Sequence, residues 1–220
     1  MKNHIIKPVS RRGFVAGTTA LAGSIGFPAV LGAQPAPIKV GLIHPVTGFV
    51  AYNGQQGRLG ATMAIEDINK AGGIKAMGGA KLEALLGDSQ SKVEVGVAEV
   101  EKMNEAGVAA YIGCFQSPVT IAATQAASKY GTPFLVDVAA SDVIVNRGLT
   151  NTFRLMPGFG VCVDQGIASL GAINKAANNI AKTAVIVHES GEFGTGTAKL
   201  LAGKLPSIGI EAKEVIGHDN

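Results

Sequence analysis

From residue 38 onward, short apolar runs alternate with longer stretches whose apolar positions recur at helical spacing. Ile38-Lys39-Val40-Gly41-Leu42-Ile43 follows the Pro-rich linker Gln34-Pro35-Ala36-Pro37 and reads as a first strand, because a brief apolar run bounded by turn residues suits a buried strand. Leu59, Met63, Ala64, Ile65 and Ile68 then fall three or four residues apart, which predicts a helix that Gly72-Gly73 ends. The same reasoning predicts strands at 82–86, 109–112, 133–136, 183–187 and 211–216, with helices near 92–106, 117–130, 160–180 and 194–205. Strict strand–helix alternation implies an α/β fold, a parallel sheet with helices on both faces. In such folds ligands bind beyond the carboxyl ends of the strands. The segments to search for chemistry are therefore 44–54, 87–91, 113–119, 137–142 and 188–193.

Charge changes the picture at the amino end. The formal net charge of +3 would invite a nucleic-acid partner, yet no acidic residue occurs before Glu66, and Lys2, Lys7, Arg11 and Arg12 precede the apolar stretch from Phe14 to Leu31. Without those four, 15 basic residues face 16 acidic ones, so the body is close to neutral and nucleic acid is excluded as a partner. Residues 1–33 have the parts of an export signal: a basic start, a mildly apolar middle broken by Gly17, Gly23, Gly26 and Pro28, and Leu31-Gly32-Ala33 as a small-residue cleavage end. Ser10-Arg11-Arg12-Gly13-Phe14-Val15 resembles a twin-arginine signal, which implies a periplasmic destination. An ordinary secretory signal and an uncleaved anchor are the alternatives. Cys114 and Cys162, the only cysteines, permit one disulfide in an oxidising compartment, but their spacing does not require it, and the plainer reading makes both small buried apolar residues.

The loops carry few groups that suit catalysis. His44 has no His, Cys or carboxylate at metal-ligand spacing, and Gly191-x-x-Gly194-x-Gly196 lacks both the Lys-Ser/Thr of a phosphate loop and the spacing of a dinucleotide fingerprint. A family resemblance is more informative. Val40 to Gly48, the run Gly60-Ala61 to Ile74, Asp88-Ser89-Gln90-Ser91, Tyr111-Ile112-Gly113, Ser117, Gly131-Thr132-Pro133-Phe134, Ala139-Ala140-Ser141, Phe153-Arg154 and Gly191-Glu192-Phe193-Gly194 together resemble the periplasmic leucine/isoleucine/valine-binding proteins of ABC transporters. The resemblance implies a type I periplasmic binding protein: two doubly wound parallel-sheet lobes joined by a hinge, with a ligand closed between them. Lobe one would span 38–155, the hinge crossing 156–158, and lobe two would begin at 159. Family members are roughly twice as long as residues 38–220, so the second lobe is expected to be incomplete in this chain.

Site residues follow from the same resemblance. Ser117, with nearby backbone amides such as that of Val119, would hold a ligand carboxylate; on local grounds alone Ser117 is an N-cap before Pro118. The Ala139 carbonyl and the Ser141 hydroxyl, with Ala140 between them, would take a ligand ammonium, or else simply cap the sheet edge. Phe193 would cover the ligand from lobe two where the family commonly has tyrosine, and Tyr52 and Asn53, placed in the first loop, would approach its apolar part. The implied protein is no enzyme and uses no cofactor or metal. It is a monomer when complete and delivers an amino acid or a related amide or carboxylate to a membrane permease. A periplasmic sensor of the same fold and a Rossmann-like dinucleotide enzyme are the competing readings, the latter weakened by the missing glycine fingerprint.

Overall fold

The apolar runs pair into two parallel sheets in a computed structural model, which describes residues 35–219; the export signal read at 1–33 lies outside these residues. In chain order the elements are β1 (Ile38–His44), α1 (Ala51–Lys70), β2 (Leu82–Asp88), α2 (Val93–Glu105), β3 (Ala110–Gly113), α3 (Ser117–Ser128), β4 (Phe134–Val136) and β5 (Thr152–Arg154). They continue with α4 (Phe159–Ala176), β6 (Thr183–Glu189), α5 (Glu192–Lys204) and β7 (Glu211–His218). The first sheet has the order β2-β1-β3-β4-β5 and the second pairs β6 with β7, every pair parallel.

Packing explains why the predicted strands formed. Ile43, Tyr111, Phe134 and Val136 are buried together with Val100 and Met103 of α2 and with Val119, Ala123 and Ala127 of α3. Tyr111 stacks on Phe134 at a centroid distance of 5.5 Å, and its hydroxyl donates to the Val100 carbonyl at 3.0 Å, so the one polar atom of this buried ring is satisfied. On the opposite face Val40 and Leu42 pack with Ile65 of α1. A second core joins Val163 and Ile167 of α4, Ile186 of β6 and Ala198 of α5.

Two features depart from the sequence reading. Thr152–Arg154 forms an edge strand that was not anticipated, and a 3-10 turn at Asp142–Ile144 lies between it and β4, so strict strand–helix alternation fails there. Helix α1 begins at Ala51, well before the first apolar repeat at Leu59. Residues 156–158, read as a crossing, lie in the stretch between β5 and α4. Among the described residues no helix is long and apolar enough to cross a membrane, and no group of three His, Cys, Asp or Glu could hold a metal ion.

Candidate functional site

The strand order 2-1-3-4-5 reverses direction between β1 and β3, and the loops leaving these two strands diverge to opposite faces of the sheet. Gly113 closes β3 against β1 with φ of 146°, and a Cβ at this position would overlap the Ile43 carbonyl oxygen. Beyond it a cavity of about 920 Å³ opens between the β1, β3 and β4 loops on one side and the start of α4 and the β6–α5 turn on the other. Its walls are aromatic: Phe49, Phe115, Phe159 and Phe193, half of the chain's eight phenylalanines, all face it. Phe159 and Phe193 meet edge to face, 6.5 Å between centroids.

Of the helices that begin at the cavity, α3 and α5 differ in electrostatic state. The start of α5 is occupied by the protein's own carboxylate, since Glu189 accepts the Gly194 amide at 2.6 Å and also the Gly191 amide. The start of α3 has no such occupant. Gln116 stands at its N-cap without a side-chain cap bond, Pro118 has no amide hydrogen, and the amides of Ser117 and Val119 find no partner among the described residues. A helix start with free amides carries partial positive charge and suits an anion.

The expected site residues divide into three groups. Ser117, Ala140 and Phe193 line the cavity. Ser117 is the first helical residue and not the N-cap; only 3% exposed, its Oγ accepts the Ser141 amide at 3.3 Å and ties the β3 loop to the β4 loop. The Ala140 carbonyl accepts the Phe159 amide at 2.8 Å. Val119, Ala139 and Ser141 lie behind the wall. The Val119 side chain is 1% exposed and packs on Gly96 of α2, leaving only its amide for a ligand, and Ala139 belongs to the core. The Ser141 hydroxyl, also buried, accepts the Val143 amide and donates to Glu192 at the head of α5, both at 3.3 Å. Tyr52 and Asn53 require correction. They are on the first turn of α1 and exposed, Tyr52 by 72%, and neither lines the cavity; Phe49 and Val50, just before that turn, do.

Sequence reasoning missed Phe115 and Gln116 on the β3 loop. Phe115 has φ of 73°, a left-handed conformation that is uncommon for a bulky residue and recurs at functional sites. It also missed a buried pair: His44 Nε2 lies 2.7 Å from Asp137 Oδ2, with the imidazole fully enclosed. Asp137 accepts the Val138 amide through its other oxygen at 2.8 Å, so the pair fixes the root of the β4 loop where Val138 and Ala140 reach the cavity. The far end of that loop is held by Asp142, which pairs with Arg154 at 3.0 Å and accepts the Gly160 amide at 3.0 Å.

The remaining polar groups are structural. Burial disfavours ionisation of Asp88, but hydrogen bonds from the Thr47 hydroxyl and the amides of Gln90, Thr47 and Val46 outweigh it and hold its carboxyl below the usual range. Asp88 thereby staples the β1 loop to the end of β2. The two cysteines are unpaired. Cys114 is enclosed, and burial, helped by the negative charge of Asp137, pushes its thiol far above the ordinary value. Cys162 is exposed on the cavity wall, so the reading of both as buried holds for Cys114 alone.

The sequence profile of the periplasmic binding proteins matches residues 37–220. The chain belongs to the periplasmic binding protein family. It is 35% identical over 192 residues to the Leu/Ile/Val-binding protein homolog 1 of Brucella abortus, covering 87% of this chain and 49% of that protein. It is 33% identical over 174 residues to the leucine-, isoleucine-, valine-, threonine- and alanine-binding protein of Pseudomonas aeruginosa, covering 79% and 44%. The chain thus spans about half the length of the curated relatives it matches. Among solved structures, an ABC-transporter solute-binding protein of Rhodopseudomonas palustris bound to 3,4-dihydroxybenzoic acid superposes with a TM-score of 0.70 at 22% identity, over 82% of this chain and 47% of that one. The isoleucine-bound branched-chain amino acid transporter substrate-binding protein of Streptococcus pneumoniae superposes with a TM-score of 0.69, also at 22% identity, over 83% and 49%. The α/β fold is that of the type I periplasmic binding proteins.

Proposed function

We propose that the protein is an exported solute receptor of an ABC importer, not an enzyme, and that its cavity receives a small carboxylate with an apolar body: an amino acid or a related amide or acid. The observation that carries this reading is the contrast between the starts of α3 and α5 at one phenylalanine-walled cavity. Glu189 fills the start of α5, while the Ser117 and Val119 amides at the start of α3 remain open to an anion. The carboxylate takes those amides and the apolar body lies among Phe49, Phe115, Phe159 and Phe193. Relatives named for leucine, isoleucine and valine, and structural neighbours holding isoleucine or 3,4-dihydroxybenzoic acid, agree in kind with such a ligand.

The mechanism follows from where the contacts lie. The ligand touches the first sheet's loops through its carboxylate and the second sheet's α5 through Phe193, so its binding favours the arrangement in which the two approach. The Ser141–Glu192 hydrogen bond already joins the β4 loop to the head of α5 and is made only when they are close. A membrane permease is the partner that would receive the ligand from this arrangement, and the twin-arginine-like leader would deliver the receptor to the periplasm. A thermal-shift screen of amino acids, amides, short-chain acids and aromatic acids tests the reading. A ligand at about 100 times its Kd stabilises the native state by about 2.7 kcal/mol, which raises Tm by roughly 5–10 °C at this size. No shift with any carboxylate, alongside a shift with a dinucleotide, overturns it.

A further inference from the structure

Among the described residues, the loops of the first sheet are hydrogen-bonded to the later part of the chain at two places. The first is next to the crossing: the Phe159 amide donates to the Ala140 carbonyl at 2.8 Å and the Gly160 amide to Asp142 Oδ2 at 3.0 Å. Both bonds act on the opening residues of α4, so they hold a pivot and do not reach α5. The second place lies beyond that pivot, where the Ser141 hydroxyl donates to Glu192 Oε1 at 3.3 Å. Ser141 is an anchored donor. It is fully buried, its amide donates to Ser117 Oγ at 3.3 Å, and its carbonyl accepts Arg154 Nη1 at 2.7 Å. Glu192 is the partner that can leave. It opens α5, and the helix does not need its carboxylate as a cap, because Glu189 already takes the Gly191 and Gly194 amides.

We propose that Glu192 is a positioning residue for ligand capture: the Ser141 hydrogen bond draws the head of α5 onto the β4 loop and sets Phe193, the next residue, against the cavity, so that the enclosing arrangement is favoured and release is slowed. This rests on the reading of the cavity as a small-carboxylate site. Phe193 lines the cavity half-exposed, and Ser117, which accepts the Ser141 amide, begins α3 at the same cavity. Ser141 therefore connects the wall that meets the carboxylate with the wall that covers the apolar body. A contact made only in the enclosed arrangement raises the population of that arrangement, and apparent affinity rises with the competent fraction. Release slows because the ligand leaves through the open arrangement, and opening must break the bond. One hydrogen bond of this kind changes such a ratio by about 3- to 10-fold.

The test compares Glu192→Ala, which removes the acceptor, with Glu192→Gln, which keeps an oxygen at the same reach. The probes are L-leucine and benzoate, with Kd taken from calorimetry and dissociation rates from surface plasmon resonance. For a probe that binds, dissociation is expected to be about 3- to 10-fold faster from Glu192→Ala and within about twofold of the unchanged protein from Glu192→Gln. In a Ser141→Ala background, Glu192→Ala should add nothing further, since the donor is already gone. Equal dissociation rates from the unchanged protein and Glu192→Ala, equally fast release from the Ala and Gln variants, or additive effects of Ser141→Ala and Glu192→Ala overturn the role of Glu192 and leave the small-carboxylate reading standing. Absence of binding by both probes to the unchanged protein, with no other carboxylate giving a thermal shift, overturns both. Where only another carboxylate shifts the melting, it replaces the probes in the same comparison.

Discussion

Replacing His44 by Met should destabilise the first sheet measurably and loosen the loop that borders the cavity. The imidazole is fully enclosed and its Nε2 hydrogen lies on the Asp137 carboxylate at 2.7 Å. Methionine fills a similar volume but leaves Asp137 Oδ2 without its donor. Breaking a wholly buried ionic contact costs about 3–5 kcal/mol, whereas a hydrogen bond to a charged group is worth about 1.5–3 kcal/mol. The Asp137 side chain is 16% exposed, so water can recover part of the loss and the lower range applies. The expected cost is about 2 kcal/mol, equivalent to roughly 4–8 °C in Tm. His44→Gln places an amide nitrogen near the same point and should recover at least half of it. The assay is urea unfolding followed by far-UV circular dichroism, because the chain has no tryptophan. A double-mutant cycle with Asp137→Asn isolates the pair. A coupling energy below about 0.5 kcal/mol, or equal losses in the Met and Gln variants, would refute the reasoning.

Three further outcomes are expected. Burial, with the negative charge of Glu101 and the neighbouring Tyr130 in the same sense, pushes the Tyr111 phenol up to about 12. A raised native pKa means that stability is intact below pH 10 and declines as pH rises from there towards 12, by at most about 3 kcal/mol; Tyr111→Phe should flatten that decline in alkaline melts, and an unchanged slope would contradict it. A thiol reagent should modify one cysteine, Cys162, in the folded protein and reach Cys114 only after unfolding, with a bound carboxylate slowing the first reaction; two reactive thiols in the native state would count against the cavity geometry. Changing Arg11 and Arg12 together to Lys should leave precursor in the cytoplasm, since a twin-arginine translocase reads guanidinium groups and not charge alone; continued appearance of mature periplasmic protein would point to the general secretory route.

Much of the fold was legible because the buried strands are written as short apolar runs between turn residues. Ile38–Ile43, Leu82–Leu86 and Thr183–Val187 each extend by only one or two residues in the structure. What escaped notice lacks a period. Strand β5 has three residues, too few to show alternation, and its central Phe153 faces solvent. The first two turns of α1 are hidden by Gly54 and Gly57, poor helix formers that remain because a Cβ at 54 would overlap the Pro45 carbonyl and one at 57 would press on His44. That early helix start turns Tyr52 and Asn53 outward and leaves Phe49 and Val50 on the cavity. The candidate site was legible only where a helix begins directly after a strand, as at Ser117. Phe115 and Gln116 lie in a loop where neither spacing nor residue type marks a binding role, and His44 and Asp137 are 93 positions apart, so only folding reveals the pair.

The central claim is that an anion sits at the start of α3, and the amide resonances of Ser117 and Val119 report on it directly. Titrating the isotopically labelled protein with a carboxylate found by thermal shift should move both resonances downfield, as a hydrogen bond from a backbone amide to an anion does. The Gly191 and Gly194 amides, already held by Glu189, should move far less. Saturable binding that perturbs the start of α5 and leaves Ser117 and Val119 unmoved would contradict the claim.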